Sequence, residues 1–166
     1  MGTRNIIKIG DESLRKTCKN QEKFDLRLKI LLKDMADTMY KAEGVGLAAP
    51  QVGILRRIAV VDVTEDHSGL LEMVNPEIIE REGSQTGREG CLSVPGRQGV
   101  VTRPQRIRVR FQNRKGEWME AEAEGFEARA VCHEVDHLDG KLYVDMMDRE
   151  LTKEEIEGHI PEDDMQ

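Results

Sequence analysis

Aromatic side chains make up only 4% of this chain, and charged residues make up 34%. Apolar runs nevertheless recur along its whole length, which excludes a disordered chain and points to a soluble globular one. Cysteine is also scarce. Cys18, Cys91 and Cys132 are the full set, an odd number with no hydrophobic signal core in Met1–Gly10. A disulfide framework is therefore not expected, and a reducing cytoplasm is. No apolar run approaches membrane-spanning length, so no membrane partner is expected. Positive charge is in deficit: 25 Lys and Arg against 32 Asp and Glu leave a net charge of -7. That balance argues against nucleic acid as a specific partner. There is no internal repeat and no long linker, and 166 residues are enough for one domain with its own core. A single domain over 1–166 is expected, with 161–166 a frayed tail.

The apolar pattern supplies the elements. Asp25 can cap a helix that runs to about Lys41, with Leu28, Leu31, Leu32, Met35 and Met39 at helical spacing. Methionines at that spacing read as core filler. Ile58 to Val63 reads as a short strand, and Leu71–Val74 and Glu77–Glu80 as two strands around Asn75-Pro76. Arg106–Phe111 alternates strictly, so Ile107, Val109 and Phe111 share one face. Asn113–Gly116 then turns the chain into a returning strand, Trp118–Glu124. Phe126–Asp139 reads as a helix ended by Gly140, and Thr152 with Glu155 forms a capping box for a short last helix. The sum is an α+β fold, with mostly antiparallel strands wrapped around one central helix.

That central helix carries the chemistry. His133-Glu134-Val135-Asp136-His137 is an HExxH pattern. Residues four apart on a helix share a face, so the two imidazoles can grip one metal ion. Glu134, beside the first of them, can act on water as a general base. Phe126, Ala130, His133 and His137 follow i, i+4, i+7 and i+11, which predicts an apolar pocket next to the metal. The bland alternative is a buried helix with two satisfied core histidines, and the glutamate between them weighs against it.

A hydrolytic site needs a third ligand and an open position. In the pattern HExxHxxGxxH, Gly140 fits but Tyr143 stands in the last place. Glu157, twenty residues after His137, is the third ligand in a thermolysin-like alternative, a small endopeptidase. Its neighbours Lys153, Glu154 and Glu155 read as a solvated face. Cys91, in Glu89-Gly90-Cys91-Leu92-Ser93-Val94-Pro95, is the stronger candidate. Gly44-Val45-Gly46-Leu47-Ala48-Ala49-Pro50-Gln51 suits a backbone lying along a ligand, although it also fits a plain turn. A closed structural metal site would need a fourth protein ligand, and none is evident.

Taken together, the blocks Gly44–Gln51, Glu89–Ser93 and His133–Leu138, in this order, resemble peptide deformylase. Cys132 is a departure, since glutamine is common at that place in the family. The resemblance implies a hydrolase that removes the formyl group from N-formylmethionyl nascent peptides and releases formate. It implies a divalent ion on Cys91, His133 and His137, with Fe2+ the usual native metal and Zn2+ the alternative. It gives Glu134 the proton transfers and makes Gln51 and the backbone N–H of Leu92 stabilisers of charge on the formyl oxygen. The backbone at Val45, Gly46 and Gly90 would bind the peptide as an added strand. Phe126 and Ala130, with Val45, would line the side-chain pocket, and Glu89 with Arg103 would brace the cysteine segment. A monomer in the cytoplasm is expected. Some family members dock on ribosomes through a basic C-terminal helix. Here residues 148–166 hold eight acidic against two basic side chains, so any ribosome contact is expected elsewhere.

Overall fold

The computed structural model describes residues 2–158. Helix α1 spans Leu26–Lys41, and the Asp25 carboxylate accepts from the Leu28 N–H at 3.2 Å. Its inward stripe, Leu28, Leu31, Leu32, Met35 and Met39, packs with Leu47, Ile58, Val60 and Val74 into one apolar cluster. The methionines are core filler, as their spacing predicts.

Five strands form the larger antiparallel sheet: β1 (Gly46–Ala48), β2 (Ile58–Val61), β3 (Leu71–Glu82), β6 (Arg106–Gln112) and β7 (Trp118–Glu124), adjacent in that order. A smaller sheet holds β4 (Gln85–Cys91), β5 (Val94–Arg103) and β8 (Arg149–Glu150). The strands β1 and β4 are each at the edge of their sheet. Helix α2 (Phe126–Leu138) lies at the centre. Its Ala128, Val131, Cys132, Val135 and Leu138 pack with Ala59, Val61, Met73, Ile107, Val109 and Phe111 in the main core. The alternation in β6 therefore does what its pattern requires. Its other face carries Arg106 and Arg108, which both pair with Glu122, at 2.7 and 2.9 Å.

Three segments differ from the sequence expectation. The β3 strand is one strand, not two, because Asn75-Pro76 sits at a register shift and not at a break. Asn75 takes φ 52°, and its amide donates to Gln112 Oε1 at 2.8 Å, so the bulge absorbs the proline that a regular ladder could not. The β2 strand stops at Val61, because Asp62 turns the chain by accepting from Thr64 N–H and Oγ at 2.9 and 2.6 Å. The segment around Cys91 is a hairpin, β4 to β5, whose pairing runs from Gln85↔Arg103 to Cys91↔Val94.

The chain closes with helix α3 (Lys153–Glu157), capped by Thr152. Arg88 of β4 donates to the carbonyls of Glu155 and Ile156 at 3.1 and 3.0 Å, which ties α3 to the smaller sheet. The expected frayed tail, 161–166, lies outside the described residues. Among those residues no helix is long and apolar enough to cross a membrane.

Candidate metal centre

The α2 helix presents His133 and His137 one turn apart towards the tip of the β4–β5 hairpin, where Cys91 stands. Cys91 Sγ lies 3.3 Å from His137 Nε2, and the two Nε2 atoms are 3.2 Å apart. The three donor atoms fall within 4.8 Å of one another. Bonds of about 2.3 Å to sulfur and 2.0–2.1 Å to nitrogen, arranged tetrahedrally, put ligand atoms roughly 3.3–3.6 Å apart. The donor set therefore fits one divalent ion. Among the described residues this is the one such grouping of His, Cys, Asp and Glu, and Glu157 is not in it. Glu157 is exposed on α3, so it is corrected from third-ligand candidate to surface residue.

The imidazole of His133 is held from behind. Its Nδ1–H donates to Glu89 Oε1 at 2.7 Å, which leaves the Nε2 lone pair facing the other ligands. Glu89 is itself gripped by Arg103, with Nη2 on Oε1 at 2.7 Å and Nε on Oε2 at 3.1 Å, and by Arg129, at 2.7 Å from Oε2. Arg103 also reaches Asp136 at 2.5 Å. Burial pushes the Glu89 carboxyl up, but the hydrogen bonds from His133 and Arg103 outweigh it. The group is held well below the usual carboxylate range and stays ionised. Burial, with His133 beside it, pushes His137 well below the ordinary histidine range, which suits a neutral ligand.

Glu134 is 4% exposed, and its Oε1 has no hydrogen-bond partner. Burial pushes its carboxyl up to about 7, although His133 pulls the other way. A carboxyl poised there can both take and release a proton near neutral pH. Room for it comes from Gly46: a Cβ at that position would lie 2.3 Å from Glu134 Oε2. Gln51 follows β1 on a short 3-10 turn. Its Oε1 accepts from Ala48 N–H at 2.9 Å, which fixes the amide. Its Nε2 donates to Ser93 Oγ at 3.0 Å and reaches Cys91 Sγ at 3.6 Å.

These groups open on one cleft of about 610 Å³, which also brings together Val45, Gly46, Glu89, Gly90, Leu92, Phe126 and Ala130. One expectation about the helix face needs correction. Phe126 is 55% exposed, so it stands at the cleft mouth and not in a buried stripe. The buried member of that turn is Arg129, 4% exposed, which the sequence reading passed over. Its only sequence signal is its place four residues before His133. Asp136 and Ser93 were also missed. Cys132 packs in the core, away from the ligand group. His67 is exposed and stacks on Tyr40, with ring centroids 4.1 Å apart, and His159 lies outside the described residues.

The sequence model of the family described as Polypeptide deformylase matches residues 3–153. A peptide deformylase of Caldanaerobacter subterraneus is 54% identical over 158 residues, which is 95% of this chain and 98% of the relative. The solved peptide deformylase of Thermotoga maritima superposes with a TM-score of 0.85 at 44% identity, covering 89% of this chain and 99% of that one. That of Legionella pneumophila gives a TM-score of 0.85 at 46% identity, covering 87% and 86%.

Proposed function

Because the chain belongs to the polypeptide deformylase family, we infer that Cys91, His133 and His137 hold the divalent ion this activity requires and that Glu134 moves its protons. The protein is a metal-dependent hydrolase that removes the N-terminal formyl group from formylmethionyl peptides of newly made proteins and releases formate. The observation that carries the residue assignment is the triad of donor atoms, with His137 Nε2 3.3 Å from Cys91 Sγ and 3.2 Å from His133 Nε2, beside a buried glutamate with an unpartnered oxygen.

When bound, the ion supplies a Lewis acid that polarises oxygen and lowers the pKa of water. One thiolate and two neutral imidazoles leave it a net positive charge. Glu134 accepts a proton from the attacking water at its free Oε1. Oxygen adds to the formyl carbon, and charge builds on the formyl oxygen. Gln51 Nε2–H and the Leu92 backbone N–H donate to that oxygen, and such donors contribute about 3 kcal/mol each. Glu134 then delivers its proton to the departing amine as the carbon–nitrogen bond breaks. Val45, Gly46 and Gly90 offer backbone to an extended peptide, and Val45, Phe126 and Ala130 offer an apolar wall to the methionine side chain.

The proposed native metal is Fe2+, with Zn2+ the alternative, since a thiolate and two imidazoles suit both. Activity of protein purified without oxygen, compared between iron-loaded and zinc-loaded forms, decides this, because equal and air-stable activity removes the case for iron. The proposed setting is one domain over 1–166, a monomer in the cytoplasm, meeting the ribosome through a surface other than the acidic C-terminal tail. The site is tested with formyl-Met-Ala-Ser, formate release and metal analysis. Cys91→Ser is expected to lose the metal. Glu134→Ala is expected to keep it and to lose turnover. Substantial turnover in Glu134→Ala, or full metal content in Cys91→Ser, overturns the assignment.

A further inference from the structure

The metal ligands come from two separate pieces of chain. Cys91 ends β4, while His133 and His137 project from α2. The spacing of sulfur to nitrogen therefore depends on how the helix is seated against the hairpin. Arg129 lies at that seat. It precedes His133 by four residues, so it shares its helix face. One nitrogen, Nη1, donates to Glu89 Oε2 on β4 at 2.7 Å and to the Val101 carbonyl on β5 at 2.9 Å. The guanidinium lies close against the β4 backbone, and Gly87 provides the slot. A Cβ at Gly87 would stand 3.1 Å from Nη2 and 3.4 Å from Cζ.

Arg103 of β5 makes a second tie to the helix, since it joins Glu89 to Asp136 of α2, but it reaches α2 seven residues after Arg129, and Arg129 is the side chain that holds the Val101 carbonyl. Without Arg129, Glu89 Oε2 would keep only the 3.1 Å contact from Arg103 Nε, and the Val101 carbonyl would lose its bond to the helix side chain. Glu89 in turn holds His133 through Nδ1. We propose that Arg129 is a positioning residue: it locks α2 to the β4–β5 hairpin and, through Glu89, keeps His133 in register with Cys91, so that its loss weakens metal binding while all three ligands remain. The proposal rests on the metal site inferred above. The competing view is a buried ion pair that serves stability alone.

The metal-free protein and its Arg129→Met, Arg129→Lys and Gly87→Ala variants would be titrated with Zn2+ against a chromophoric chelator. The visible spectrum of each Co2+-loaded form and the thermal unfolding of each metal-free form would be recorded alongside. Arg129→Met is expected to bind Zn2+ about 10–100-fold more weakly, the usual effect of removing a group that orients a ligand, and to shift the Co2+ bands. Arg129→Lys keeps a cation, but its amine ends one bond short of the Nη1 position, which lengthens the contacts to Glu89 and Val101 together, and it should fall between. Gly87→Ala presses on the guanidinium without touching the site and should weaken binding in the same direction. Wild-type affinity and spectrum in a folded Arg129→Met, with only its melting temperature lowered, overturns the proposal. Should that variant not fold, wild-type affinity in both of the others overturns it. Cys91→Ser run in parallel separates the two levels. If the wild type binds no ion, or Cys91→Ser binds as tightly, the metal reading itself fails. If those controls behave and the Arg129 series is flat, only this inference fails.

Discussion

Replacing Gly46 by alanine should silence the enzyme while sparing its metal. The new Cβ would lie 2.3 Å from Glu134 Oε2, 2.8 Å from Cδ and 2.9 Å from Cγ. Carbon contacts settle near 3.5–4.0 Å, so the carboxylate must withdraw by about 1 Å. The obstructed atoms are the far end of a side chain, and Gly46 has no positive φ, so the backbone of β1 need not move. The pairing of β1 with β2 survives, and the three atoms nearest to the new Cβ all belong to Glu134, not to a ligand. A displacement of about 1 Å of a reacting group can cost roughly 100-fold in rate. That corresponds to about 2.7 kcal/mol of barrier. Steady-state formate release from formyl-Met-Ala-Ser, with metal content measured on the same samples, reads the effect. The expectation is a kcat about 100-fold lower, a KM that moves much less, and stoichiometric metal. A Gly46→Ala enzyme with kcat within about threefold of the wild type would show that the glutamate is not confined where the structure puts it.

Asp62→Asn should flatten the acid limb of stability. Burial pushes the Asp62 carboxyl up, but hydrogen bonds from Thr64 and Tyr40 outweigh it, so its folded pKa is depressed. A depressed carboxyl contributes stability above its unfolded value of about 3.9 and loses it as pH falls through the folded value. The variant should therefore be less stable at pH 7, by about 2 kcal/mol for lost charge-assisted bonds, with the gap closing below about pH 4 in urea melts. A constant gap across that range refutes the linkage. Removing residues 161–166 should change neither deformylation nor co-sedimentation with ribosomes at low salt, because the segment adds only negative charge. A loss of sedimentation on truncation would make the tail a docking element despite its sign.

The parts of the fold that could be read in advance are those whose pattern is local. The α1 helix declares itself by its Asp25 cap and the spacing of Leu28 to Met39, and the β6–β7 hairpin by strict alternation in Arg106–Phe111. The two histidines are legible because helix geometry alone brings them together. The β4–β5 hairpin was not legible. Thr86-Gly87-Arg88-Glu89-Gly90 has no apolar alternation, and its one buried member, Glu89, is held by charges from elsewhere in the chain. The β1 strand, at three residues, is too short to carry a period. Pro76 looked like a strand end because a bulge is set by pairing across the sheet, which a single stretch of sequence does not display. Arg129 was missed for a related reason. A charged residue on a helix reads as outward-facing until a carboxylate 40 positions away turns out to be its partner.

The edge position of β1 and β4 has a consequence for how firmly this protein can hold anything. Both edges turn toward the cleft at Gly46 and Gly90, and β1 is only three residues long. So short an edge offers two or three main-chain bonds, each with a net contribution of about 1 kcal/mol. A peptide gripped mainly by its backbone is held without regard to most of its side chains, and it is held weakly. That combination favours breadth over affinity. On the binding mode proposed above, many different chain starts can enter, each for a short time, and the deformylated product leaves without a large barrier to its release.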